Sequence, residues 1–193
     1  MLRFGQSAGG MVVGGRELRA AVFNENEVRT AAGLTLVPAV IAFSYAYFEQ
    51  QYLPLQIASA FFLVEFVLRT TLGIRYSPMG VLARRLTRGQ EPVWVSAKPK
   101  RFAWMIGVGM ALAMVVITTS GIRGWLPRSL CLTCVTLMWM ESALGVCLGC
   151  KIYAWLVRLG YRSRDAEIEV CAGGVCALPK PTAARDAAPL RAL

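Results

Sequence analysis

The stretch SLCLTCVTLMWMESALGVCLGCKIYAWLVR, Ser129 to Arg158, is the longest apolar run in the chain, and its reading decides the fold. It carries a C-x-x-C near each end, Cys131/Cys134 and Cys147/Cys150, with one carboxylate, Glu141, between them. Written as one helix, Cys131 to Cys150 rises roughly 28 Å, close to the thickness of a bilayer's hydrocarbon core. The expectation is a single span over about residues 130–157 that holds a thiol pair near each membrane face.

The rest of the composition agrees with a membrane setting. The chain has 193 residues, of which 56% are hydrophobic and 17% charged, against about 25% charged in soluble domains. The apolar residues fall in blocks, which points to an integral membrane protein. The net charge of +10 then suits anionic lipid headgroups and sets topology, so the expected partner is the lipid bilayer and no nucleic acid. With no histidine in the chain, His-ligated metal sites and Ser-His or Cys-His catalysis by this chain alone are excluded. No haem, nucleotide or flavin motif is present, which leaves the cofactor open and a soft metal as the candidate. The first thirty residues carry arginines but no compact apolar core followed by an A-x-A site, so no secretory signal is expected.

Outward from the central stretch, residues 1–30 read as a polar, glycine-rich leader and a short helix over Asn24–Arg29, capped by Asn24 with Glu27 as capping-box partner. The first span is 31–48, with Pro38 inside it and Tyr45, Tyr47 and Tyr52 at its far end, where a membrane interface places aromatic rings. The second span, 55–72, contains Glu65 and Arg69 on one helical face. They either form a structural ion pair, or Arg69 supports a buried thiolate. Gly73 to Arg101 reads as a loop with Arg75, Arg84, Arg85, Arg88, Lys98, Lys100 and Arg101 against the single acid Glu91. Val81 to Arg88 within it suits a short amphipathic helix on the membrane surface. The third span is 102–119, where Gly107, Gly109, Ala111 and Ala113 provide thin faces for close helix packing. Residues 159–193, with Cys171 and Cys176, read as a disordered tail.

The fold expected is therefore all-α, a polytopic four-helix membrane bundle. The basic loop puts both termini in the cytoplasm, N-in and C-in, of a bacterial inner membrane. Cys131/Cys134 then lie at the outer end, on the oxidising side, and Cys147/Cys150 toward the cytoplasm. With Pro127 and Ser129 as a helix start and Ser129 as N-cap, Cys131 falls in the first turn, where free N–H groups favour a thiolate. Cys147/Cys150 fall near a helix C-terminus, with Lys151 as partial compensation. An i, i+3 pair on a helix holds its Cβ atoms about 5–6 Å apart, against about 3.8 Å for a disulfide. Gly149 eases the distortion that closure requires. On a continuous helix the two pairs do not share a face, and the gap from Cys134 to Cys147 is roughly 20 Å. Direct exchange between them is excluded on that geometry, and a mobile element, a small thiol, a quinone or a partner protein is needed. Glu65 and Glu141 reach similar depths, with Arg69 near the level of Cys147.

Four segments carry a resemblance: Asn24-Glu-Asn-Glu-Val-Arg29, Arg75-Tyr-Ser-Pro78, Pro99-Lys-Arg-Phe-Ala103, and Glu141 through Gly145-Val-Cys-Leu-Gly-Cys-Lys-Ile-Tyr153. Over about Asn24 to Arg158 the chain resembles a family of small bacterial integral membrane proteins catalogued as a domain of unknown function. The resemblance implies four spans and a C-x-G-C-K-x-Y motif on the cytoplasmic side. It makes Asn26, Arg29, Glu65, Arg75, Tyr76, Ser77, Pro78, Lys100 and Arg101 motif residues. It implies a thioredoxin-like protein or a sulfurtransferase as partner. Cys131/Cys134 and the tail pair fall outside its pattern, which moves the weight to Cys147/Cys150 with Glu141.

Three functions follow from these residues. In the first, Cys147 and Cys150 cycle between dithiol and disulfide or carry a sulfane sulfur. Glu141 moves the proton, and Arg69 or Lys151 stabilises the thiolate. The second is transport of a sulfur compound or a soft metal ion, with Cys147 and Cys150 as the metal ligands if any. The third is a structural partner that anchors a soluble enzyme at the membrane through Arg75–Arg101.

Overall fold

The computed structural model describes residues 11–13, 16–18 and 21–161. Cys171, Cys176 and the expected tail lie outside the described residues. The first elements are β1 (Met11–Val13) and β2 (Arg16–Leu18), paired antiparallel. They are followed by β3 (Val22–Asn24), α1 (Glu25–Phe48) and α2 (Leu53–Thr71). A 3-10 turn, Ile74–Tyr76, leads into α3 (Pro78–Leu86). Then come β4 (Trp94–Ser96), α4 (Ala97–Thr119), α5 (Trp125–Leu144) and α6 (Leu148–Arg158).

Three of these helices, α1, α2 and α4, are long and apolar enough to cross a membrane, and the bent pair α5 and α6 makes a fourth if counted as one span. α2 packs most extensively on α4, and α1 on α5. Gly107 permits the first contact, because a Cβ there would lie 3.1 Å from the Phe66 ring. Gly109, its neighbour on the thin face, meets nothing within 4 Å.

The expected all-α chain thus carries two small strand pairs, and the second sets the register of the bundle. β3 and β4 pair antiparallel, Val22 opposite Ser96 and Asn24 opposite Trp94. Each strand runs straight into a long helix, so the pairing fixes the start of α1 beside the start of α4. Asn24 locks the joint: its Oδ1 accepts from the N–H groups of Asn26 and Val93, both at 3.2 Å. Asn26 Nδ2 donates to the Glu91 carbonyl at 2.9 Å. Phe23 and Trp104 pack ring to ring with centroids 5.0 Å apart. The short runs that make this pair are too brief for an alternating pattern to stand out, which is why sequence reading passed over them.

Helix boundaries shift accordingly. The short helix over Asn24–Arg29 and the span at 31–48 are one helix, because nothing between Arg29 and Ala31 breaks it. The third span starts at Ala97, so Lys98, Lys100 and Arg101 belong to the first turns of α4 and not to a loop. α5 starts at Trp125 after Gly124, and Ser129 is an interior residue whose Oγ donates to the Leu126 carbonyl. Cys131 therefore lies beyond the first turn, away from the free N–H groups expected to help it.

The largest departure is at the centre of the defining stretch. Residues 129–158 do not form one helix. α5 ends at Leu144, α6 begins at Leu148, and the two are bent by 89°. The cause is local. Gly145 adopts φ +67°, a left-handed conformation that ends a helix and that glycine takes without a Cβ clash. Arg29 of α1 reaches the end of α5 and donates to the carbonyls of Ser142 (3.1 Å) and Ala143 (3.1 Å). Carbonyls freed by the break are thus satisfied inside the protein, the condition for breaking a helix at membrane depth.

Candidate functional site

The break turns the second C-x-x-C into a helix start. Cys147 is the residue before α6, in extended conformation (φ −90°, ψ 106°), and its carbonyl accepts from Lys151 N–H. Cys150 sits in the first turn. Both are buried. An extended Cys147 is free of the helical i, i+3 geometry that keeps two sulfurs apart. The expectation that this pair suffers from a helix C-terminus is reversed, since it occupies the positive end of the α6 dipole.

Gly149, between them, is a packing necessity. A Cβ there would lie 2.5 Å from the Ala103 Cβ and 2.7 Å from its Cα. α6 therefore rests backbone to backbone on α4, and this contact holds the thiols against the start of α4. Phe102 and Tyr153 extend the same contact with ring centroids 5.6 Å apart.

The start of α4 supplies the cation. Lys100 is 1% exposed. Its Nζ lies 3.0 Å from Glu25 Oε1, 2.9 Å from Glu25 Oε2 and 2.9 Å from Glu141 Oε1. One ammonium thus joins α1, α4 and α5, and its charge also acts on Cys147 and Cys150. A lysine at this depth is tolerated because two carboxylates replace its water.

Arg69 has another role. It donates to Glu65 at 2.8 and 2.6 Å and to Thr35 Oγ1 at 3.1 Å, with both charged groups buried. Glu65 Oε2 also accepts the Met79 N–H, 3.3 Å away at the start of α3. This is the structural ion pair, and it staples α1, α2 and α3. Lys151 is exposed in the first turn of α6. Lys100 rather than Arg69 or Lys151 is therefore the cation beside Glu141.

A cavity of about 150 Å³ occupies the bundle centre. Its walls include Ala39, Phe62, Ala111 and the thioethers of Met110, Met114 and Met138. Cys131, Cys134, Glu141 and Cys147 also line it, while Cys150 does not. The first cysteine pair and Cys147 of the second therefore open on one space, although on a straight helix the two pairs would face apart. Glu141 has one side on the cavity and the other on Lys100. Among the described residues no group of three or more His, Cys, Asp or Glu side chains is placed to hold a metal. All four described cysteines are free thiols.

The motif residues mostly hold this frame. Ser77 caps α3 by accepting from Gly80 N–H at 3.1 Å, Pro78 opens that helix, and Arg75 and Tyr76 are exposed beside it. Arg101 is half-buried in α4. Sequence reading missed Glu25 and treated Lys100 only as a motif residue. A lone buried acid, Glu141, demanded a cation, and Lys100 next to an apolar run was the available signal.

The fold and site define a helical protein with apolar spans and a buried dithiol held beside a lysine–carboxylate cluster. The chain belongs to the family described as Domain of unknown function (DUF4395), whose profile matches residues 23–158. No curated protein and no solved structure matches the chain.

Proposed function

We propose that this is a membrane-embedded thiol-disulfide or persulfide relay protein of the bacterial inner membrane, working through Cys147 and Cys150. The observation that carries the reading is the helix start at Cys147. It frees Cys147 from regular helical geometry and puts both thiols at the positive end of α6 and close to Lys100. Negative charge that forms on sulfur during exchange is stabilised by both.

In exchange, the Cys147 thiolate attacks a sulfur of a substrate disulfide, forming a mixed disulfide and releasing the first thiolate. Cys150 then attacks the Cys147 sulfur, closing Cys147–Cys150 and releasing the second. Two electrons pass to the substrate, and the two thiol protons go to its leaving sulfurs, with Glu141 as the carrier nearest Cys147. In the persulfide form Cys147 takes a single sulfane sulfur from a donor persulfide, which leaves as a thiol. A thioredoxin-like protein or a sulfurtransferase is the class of partner that supplies either substrate.

The basic residues Arg75, Arg84, Arg85 and Arg88 all lie at the end of the bundle that holds Lys100 and Cys147, which supports a cytoplasmic address for that end. With it, α3 lies at the inner membrane surface and both termini are cytoplasmic. Mass-tag trapping of each cysteine in cells tests the reading. A reducible Cys147–Cys150 disulfide or persulfide is expected, and a pair that stays reduced under oxidant overturns it.

The sulfur lining of the cavity favours a second reading, passage of a sulfur compound or a soft metal ion. Stoichiometric Cu(I) on protein purified without chelators, lost in Cys147→Ser, would favour it over the relay.

A further inference from the structure

We propose that the central cavity binds the ring of a lipid-soluble quinone and that this quinone oxidises the Cys147/Cys150 dithiol. The inference rests on the thiol-relay reading and names a lipid-borne oxidant that takes the two electrons of the dithiol in place of the substrate disulfide. Four observations carry it.

Size comes first. An apolar cavity of roughly 150 Å³ takes one six-membered ring, and this one has that volume. Place comes second. The walls belong to α1, α2, α4, α5 and the start of α6, helices apolar enough to cross a membrane when the bent pair counts as one span. Access comes third. Cys147 and Cys150 are 4% and 1% exposed, so a protein partner reaches them only after the helices around them part, whereas a ligand in the cavity meets Cys147 on its wall directly. Polarity comes last. On walls that are mostly apolar, Glu141 and Cys147 both line the cavity, and Glu141 is bonded to Lys100. A ring held there has a proton carrier and a thiol on its walls.

The chemistry balances without a further reagent. The Cys147 thiolate adds reversibly to a ring carbon, and its proton passes through Glu141 to one quinone oxygen. The Cys150 sulfur attacks the Cys147 sulfur. The carbon–sulfur bond breaks, its electron pair stays on the ring, and the Cys150 proton reaches the second oxygen. Two thiols and a quinone become one disulfide and one quinol. Cys131 and Cys134 face the same ring but sit on a regular helix, where an i, i+3 pair is too wide to close. They stay reduced and serve as an internal control.

The test uses the full chain, reduced and anaerobic in detergent, with duroquinone as probe. Its fully methylated ring resists ordinary thiol alkylation. Quinone loss is followed by absorbance and thiols by mass tagging. One quinone consumed per Cys147–Cys150 disulfide is expected, with no reaction in Cys147→Ser or Cys150→Ser. Met110→Trp, which fills the cavity, should slow quinone reduction at least tenfold while leaving oxidation by glutathione disulfide within twofold. In Cys147→Ser, bound duroquinone should still shield Cys131 and Cys134 from a small alkylating agent, a measurement independent of any filled-cavity variant. If glutathione disulfide closes the pair but duroquinone neither closes it nor shields Cys131 and Cys134, the quinone site falls and the relay reading stands. If neither oxidant closes the pair, both fall.

Discussion

Cys131/Cys134 and Cys147/Cys150 have the same spacing, and Cys131, Cys134 and Cys147 line the same cavity, yet the backbone beneath the two pairs differs. The first pair lies inside α5, where regular helical geometry holds the two sulfurs apart and leaves their N–H groups bonded. The second straddles the start of α6, where Cys147 is extended, Cys150 is in the first turn, and a lysine shared by two carboxylates stands close by. A C-x-x-C is therefore not a chemical unit by itself. What it can do depends on whether a helix begins between its cysteines, and here a glycine and an arginine from another helix decide that.

The largest expected effect separates the pairs outright. Cys147→Ser or Cys150→Ser should abolish the reducible intramolecular disulfide, read by mass-tag gel shift after mild oxidation. The double change Cys131→Ser, Cys134→Ser should leave its yield within about twofold. Equal losses in both experiments would erase the distinction.

Next is the ion cluster under the second pair. Lys100→Met leaves Glu25 and Glu141 buried without their cation, which should cost about 3–5 kcal/mol. Thermal unfolding in detergent reads this, and adding Glu25→Gln and Glu141→Gln should recover most of the loss. Lys151→Ala, at an exposed position of the same C-x-x-C segment, should stay within about 0.5 kcal/mol of wild type. A Lys100→Met protein as stable as Lys151→Ala would mean that the cluster does not hold the three helices together.

The seat of α6 comes third. Gly149→Ala drives a methyl into Ala103 and should destabilise by about 1–3 kcal/mol, with slower disulfide closure. Ala103→Gly in the same chain removes the Cβ clash but not the 2.7 Å approach to the Cα, so it should restore only part of both, and a Gly149→Ala protein as stable as wild type would show that α6 does not rest there.

The smallest effect belongs to the break itself. Gly145→Ala imposes a left-handed conformation on a residue with a Cβ, a strain of roughly 1–2 kcal/mol, beside the Arg29 guanidinium 3.3 Å away. The same denaturation measurement sharpens the comparison, because a neutral substitution would imply that α5 and α6 tolerate a straighter join.

Much of this was legible in the residues. Apolar blocks gave three helices long enough to span, with a fourth only if the bent α5–α6 pair counts as one, Glu65 and Arg69 four apart gave their ion pair, and Asn24 gave the start of a helix. The N-x-x-E cap was read in the right place because capping is a local event. The break at Gly145 was not read, since Leu-Gly-Val-Cys inside a long apolar run is compatible with a continuous helix until Arg29 is known to be at hand. Lys100 was read as a loop cation because its partners lie far away in sequence, at Glu25 and Glu141.

By itself, then, the sequence determined the helical spans, the density of thiols and the place of the basic residues. These depend on composition and on neighbours within a few positions. Only the tertiary structure decided which cation meets which carboxylate, where the last long helix breaks, and that Cys147 shares one cavity with Cys131 and Cys134. Those outcomes depend on the β3–β4 pairing that sets α1 beside α4, on Arg29 accepting the loose end of α5, and on Gly149 letting α6 touch Ala103. Each is a contact between residues distant in the chain, and no local pattern encodes it.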